Sequence, residues 1–113
     1  MATLEQQRAA HAWEKVQGKS KEFKNLAKGA PALVMNNGLM PSLAFWQDKG
    51  GNSGELVRVI LDWLSQRKLV ASSDFSSAMV SLQKADPVKF RAVTSETLEY
   101  LKWLRNLAGA VIK

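Results

Sequence analysis

Leu56, Val57, Ile60, Leu61 and Leu64 recur at intervals of three and four, with Arg58, Asp62 and Arg67 off their face. That spacing lays one apolar stripe along a helix of 3.6 residues per turn; a strand, whose faces alternate every residue, cannot use it. No β-alternation longer than a few residues occurs anywhere in the 113-residue chain. The chain is thereby restricted to packing helix on helix. Its length suits one domain with a modest core, and 46% hydrophobic with 23% charged residues is a globular composition.

Start and stop signals divide the pattern. Thr3-Leu4-Glu5-Gln6 is a capping box, followed by Ala9, Ala12, Trp13 and Val16 at helical spacing and by Gly18 as a stop. Ser20 caps a short second helix bearing Phe23, Leu26 and Ala27, which Gly29 is expected to end, and Pro31 then suits the first turn of the next helix. Lys49-Gly50-Gly51-Asn52-Ser53-Gly54 reads as a loop with Ser53 as a cap, Asp74 opens another helix, and Asp86-Pro87 is a cap with proline at the first helical position. Thr94-Ser95-Glu96 can restart the last helix or be passed through. The expectation is an all-α, compact single-domain bundle of about six helices. Its helical segments lie at about 4–17, 20–28, 31–36, 38–48, 54–67, 74–84 and 87–112.

The most apolar run, PALVMNNGLMPSLAFW over residues 31–46, carries Asn36, Asn37 and Gly38 at its centre. A buried amide without partners costs a few kcal/mol. The amides are therefore expected at a joint between helices, with Asn36 exposed and Asn37 capping a helix that begins at Gly38. Pro31, Asn37 and Gly38 are structural residues on this reading.

Several chemistries lack their residues. There is no cysteine and His11 is the only histidine, so neither disulfides nor two-histidine or thiolate metal sites exist in one chain. The carboxylates are scattered singly, no serine sits in a G-x-S-x-G setting, and the glycine-rich loop lacks the Gly-Lys-Ser/Thr ending of a phosphate loop. No catalytic residue, metal or cofactor is expected. The polar N-terminal stretch with Glu5 is unlike a signal peptide, and no apolar run approaches the roughly 20 residues a membrane helix needs. A cytoplasmic protein without membrane contact is the expectation.

Charge is where the sequence points outward. Sixteen Lys and Arg against ten Asp and Glu give +6, which favours an anionic partner. Lys15, Lys19, Lys21, Lys24 and Lys28 face one acid, Glu22, over residues 15–28, and Lys21, Lys24 and Lys28 share one helical stripe. A second group is Lys89, Arg91, Lys102 and Arg105; one continuous helix would align Arg91 with Lys102 and Arg105, while Glu99 sits within reach of Lys102. Such stripes can follow a phosphate backbone or simply be solvated. The four tryptophans (13, 46, 63 and 103) lie on or beside apolar stripes and suit packing more than base stacking. A free-standing nucleic-acid binder and a helical protein adaptor both remain open on these grounds.

One ordered set of residues narrows this. Phe23, Ala30-Pro31-Ala32-Leu33-Val34, Asn37-Gly38-Leu39, Leu43-Ala44-Phe45, Trp63-Leu64, Phe90-Arg91-Ala92-Val93-Thr94-x-Glu96 and Leu101-Lys102-Trp103-Leu104-Arg105 appear in sequence. Together they resemble the small subunit of the type III-B (Cmr) CRISPR RNA-silencing complex over about residues 8–108. Phe23 and Phe90 depart from it where tyrosine is expected, and Ala30 where leucine commonly precedes the proline. The resemblance implies a helical subunit without catalytic activity, stacked in several copies beside the backbone and large subunits and along guide RNA paired with target RNA. Candidate RNA contacts are then Lys15, Lys19, Lys21, Lys24, Lys28, Arg91, Lys102 and Arg105.

Overall fold

The computed structural model describes residues 1–113 as six helices with no strand: α1 (Leu4–Val16), α2 (Lys21–Asn37), α3 (Leu39–Lys49), α4 (Gly51–Gln66), α5 (Phe75–Lys84) and α6 (Pro87–Val111). Local chemistry sets most of the starts. The Thr3 hydroxyl accepts from the Gln6 amide while the Gln6 side chain accepts from the Thr3 amide, at 3.1 and 2.8 Å. Ser20, Asp74 and Asp86 accept from the amides of Phe23, Ser77 and Lys89, satisfying donors a helix start leaves orphaned.

Three expectations fail, the first two because tertiary burial overrides a local signal. Gly29 does not end a helix and Pro31 does not begin one: α2 runs unbroken through both. Phe23, Ala27, Ala30 and Val34 form one buried stripe, and a break at 29–31 would split it. An interior proline costs about 3 kcal/mol, an amount that burying this stripe can offset. The loop expected at Lys49–Gly54 is a single residue, Gly50 (φ 66°), after which α4 begins at Gly51. Ser53 is therefore no cap; it and Gly54 are buried in the first turn of α4 and extend its packing face upstream.

Third, Asn37 does not cap α3. It is the last residue of α2, and its amide donates back to the Leu33 carbonyl at 3.3 Å from an exposed position. Gly38 alone is the joint, at φ 91°, a conformation side chains disfavour. The buried polar group that spans the joint is Ser42, whose hydroxyl lies 2.7 Å from the Gly38 carbonyl and 3.2 Å from that of Leu33. Asn36 is exposed, as expected. In α6, Thr94 and Thr97 donate to carbonyls one turn back, so their hydroxyls are satisfied inside a helix that continues past Thr94.

Helix α6 packs along α1 and α2, while α4 lies against α2, α3 and α6, and α5 touches α4. Twenty-five buried hydrophobic residues form one core cluster. Through it runs a polar seam. Arg8 of α1 donates two 2.7 Å bonds to Glu96 of α6, which also accepts the Trp63 indole N–H from α4 at 3.0 Å. The Trp63 ring stacks on Tyr100, with centroids 5.3 Å apart. His11, buried, bonds the Tyr100 hydroxyl through Nδ1 and Asp62 through Nε2. Because a carboxylate only accepts, Nε2 donates to Asp62, while Nδ1 and the Tyr100 hydroxyl share the second bond.

Burial pushes the Glu96 carboxyl up, but the bonds from Arg8 and Trp63 outweigh it and leave the group below the ordinary glutamate range. Asp62 is likewise raised by burial and lowered further by His11 and Lys15, and Glu55, bonded by Lys19 and Arg58, falls to about 2. Carboxyls depressed in the folded state stabilise it above their unfolded values and lose that contribution as pH falls through the folded ones. Unfolding free energy is therefore expected to be level above about pH 5 and to decline from about pH 4.5 towards pH 2 in denaturant titrations. Glu96→Ala leaves Arg8 and Trp63 unpaired and should remove about 3 kcal/mol at neutral pH. Pro31→Ala should do the opposite. It restores an N–H to the Ala27 carbonyl inside α2, raising stability by about 1–3 kcal/mol with an unchanged denaturant slope.

Candidate nucleic-acid interface

The N-terminal lysines separate into two groups. Lys15 lies 3.6 Å from Asp62, and Lys19 lies 2.6 Å from Glu55 with its ammonium over the Phe23 ring. With Arg58 and Asp74 they line a concavity of about 420 Å³ in which three bases meet three acids. Such a surface offers a polyanion little net attraction. Lys21 is exposed and pairs with no acid.

Lys24 and Lys28 turn instead towards the end of α6. The Lys24 ammonium donates to the Ile112 carbonyl at 3.1 Å, supplying from α2 the cation that the last turn of α6 lacks. Lys28 is exposed and its stem passes Gly109, where an added Cβ would lie 3.8 Å from the Lys28 Cε. These two approaches set α2 antiparallel to α6. Arg105 stands one turn before Gly109, Lys102 three residues earlier, and both are exposed.

Because α6 is unbroken, Arg91 falls on the same stripe, about 21 Å from Arg105 along the helix, and it too is exposed. Lys102 reaches Glu99 at 3.3 Å, which offsets part of its charge. The structure thus brings Lys28 and Arg105 onto one α2–α6 face, with Lys24 and Lys102 beside them partly engaged and Arg91 further along the same stripe of α6. Lys15 and Lys19 belong elsewhere.

The other residues singled out in the sequence lie mostly within the fold. Trp46 and Trp63 are buried, Trp103 is half-buried, and only Trp13 is exposed. Pro31 sits inside α2 and Asn37 and Gly38 at the α2–α3 joint, beside a concavity of about 330 Å³ rimmed by Leu33, Pro41 and Phe45. His11 with Asp62 and Tyr100 has the order of a proton relay, but Tyr100 is fully buried and offers no oxygen to a substrate. No three His, Asp or Glu side chains converge as metal ligands, and no helix is long and apolar enough to cross a membrane. Sequence reasoning missed the engagement of Lys15, Lys19 and Lys24, because their partners lie far along the chain.

Comparison with known proteins agrees with the geometry of the fold. Residues 4–111 match a family model described as CRISPR-associated protein (Cas_Cmr5). The structure is similar to that of a CRISPR-associated Cmr5 family protein from Thermus thermophilus, with a TM-score of 0.85 and 26% identity over 100% of both chains. No curated protein sequence matches. The ordered anchors read in the sequence and the match over nearly the whole chain lead to one assignment: the chain belongs to the Cmr5 family, the small subunit of the type III-B Cmr complex.

Proposed function

We propose that this chain is a non-catalytic structural subunit that stacks in several copies along the guide RNA–target RNA duplex and helps hold target RNA while other subunits cleave it. Family membership carries the reading, and the continuous α6 supports it by aligning Arg91 with Arg105, which stands near Lys28 of α2. A duplex passing such a face meets positive charge at intervals along a rigid rod, enough for contact with sugar-phosphate and without means of reading bases. Lys21, Lys28, Arg91 and Arg105 are the principal contacts on this reading; Lys24 and Lys102 contribute what their protein partners leave, and Lys15 and Lys19 contribute least.

The titratable groups favour a structural role. His11, Asp62, Tyr100 and Glu96 are all consumed in tying helices together. Exposed Trp13, Met35 and Phe45 are apolar surface for neighbouring copies and for the backbone and large subunits, in heterologous contacts that leave a filament open.

Native purification of the chain from its host tests the first part. The expected result is a ribonucleoprotein carrying a guide RNA, and purification free of such a particle overturns the reading. Within that particle, reversing Lys21, Lys28 and Arg105 to Glu should weaken target RNA retention and reduce its log–log salt slope by about 3, as loss of three phosphate contacts with a duplex requires. Unchanged retention would remove the α2–α6 face from the assignment.

A further inference from the structure

A second basic surface lies away from the α2–α6 face, where the loop after α4, the exposed stripe of α5 and the first turn of α6 meet. Two concavities of about 350 and 470 Å³ adjoin there, sharing Ala71 and Ser81. Lys68 and Lys89 line the first, Lys84 the second, and no carboxylate lines either. None of the three lysines forms a salt bridge, unlike Lys15, Lys19 and Arg58 on the mixed-charge surface. Ser77, Ser81 and Lys84 fall at i, i+4 and i+7 on α5, adding hydroxyl donors along the same line.

Two details show why the charge there is free. Between residues 63 and 95 the only acids are Asp74 and Asp86, against Arg67, Lys68, Lys84, Lys89 and Arg91. Both acids are spent on helix starts, accepting from the Ser77 and Lys89 amides at 3.0 and 2.8 Å, where the helix dipoles offset their charge. Lys68, moreover, is the one non-glycine residue with positive φ (59°), directly after the end of α4. Glycine is the least costly residue at such a position, yet a cation stands there.

We propose that this groove is a second binding site for the sugar-phosphate backbone of RNA, held by Lys68, Lys84 and Lys89. The choice of RNA as the polyanion rests on the ribonucleoprotein reading above; the groove itself rests on its acid-free lining. Phosphate oxygens accept from the three ammonium groups and the flanking serine hydroxyls, and no base is read.

The test uses the full chain and a fluorescein-labelled 20-nucleotide oligouridylate, with anisotropy titrations between 50 and 200 mM salt. The K68Q/K84Q/K89Q variant should bind more weakly, and its affinity should fall about 20-fold less than the parent's across that range, as expected for three lost single-strand contacts. The K49Q/R58Q/K113Q variant removes the same charge at other exposed positions and should stay within about twofold of the parent. All six positions are exposed, and matching circular dichroism spectra exclude unfolding as a cause.

A second measurement is acetylation of surface amines with and without the oligouridylate, read by mass spectrometry. Protection of Lys68, Lys84 and Lys89, with Lys49 and Lys113 unprotected, supports the site. Equal loss in both variants, protection confined to Lys21 and Lys28, no binding by the parent chain, or preferential binding of polyglutamate each overturns it. Protection confined to Lys21 and Lys28 would leave the α2–α6 reading standing. Protection of the groove lysines in a chain that purifies without guide RNA would instead sink the ribonucleoprotein reading and leave the groove.

Discussion

Glu96 is the point at which three helices are fixed to one another. Its carboxylate accepts from Arg8 of α1 and from Trp63 of α4 while its own backbone belongs to α6. A mostly buried charge is tolerated only when its acceptors are filled in good geometry, so this arrangement permits little displacement. Sliding α6 by one residue would carry Glu96 about 100° around the helix and separate Tyr100 from both Trp63 and His11. The register of α6 against α1 and α4 is set in this way. The position of the outer stripe bearing Arg91, Lys102 and Arg105 is set with it.

What could be read from the sequence was what local chemistry decides. Thr3, Ser20, Asp74 and Asp86 act as caps because a hydroxyl or carboxylate reaches an amide three residues on, whatever the rest of the chain does. Gly29, Pro31 and the Lys49–Gly54 segment carry equally plain local signals for a break, and these lose. Phe23, Ala27, Ala30 and Val34 must remain on one line to cover the core, and that requirement comes from α4 and α6. Asn37 misled for a smaller reason: the joint is one residue long, so the cap position falls on Gly38 and the polar duty on Ser42, one turn inside α3.

The candidate interface was legible in composition and not in detail. Lysine content over residues 15–28 is visible at once, but the acids that hold Lys15 and Lys19 are Asp62 and Glu55, reached only through the fold. The family resemblance was legible for a related reason. Ten of its anchors, Phe23, Ala30, Val34, Leu39, Leu43, Trp63, Leu64, Val93, Leu101 and Leu104, are buried. They are a fingerprint of the core. Such a fingerprint identifies the family through the packing it demands; of the exposed cations it takes in only Arg91, Lys102 and Arg105 and none of the lysines of α2.

These two layers make different physical demands. The core needs shape, and a single misplaced group such as an unpaired Glu96 is felt throughout. Phosphate contact needs only a cation that is exposed, rigidly carried and not already neutralised by a neighbouring carboxylate. Helix α4 meets part of both demands. Its buried side supplies Leu56, Ile60, Trp63 and Leu64 to the core, while Glu55 and Asp62 on its outer edge neutralise the lysines of α1 and of the turn after it. Among the cations left free are Lys21, Lys28, Arg91 and Arg105 on one side, and Lys68, Lys84 and Lys89 on the other. Where this chain presents unpaired positive charge is thus decided as much by where its acids are spent as by where its lysines stand.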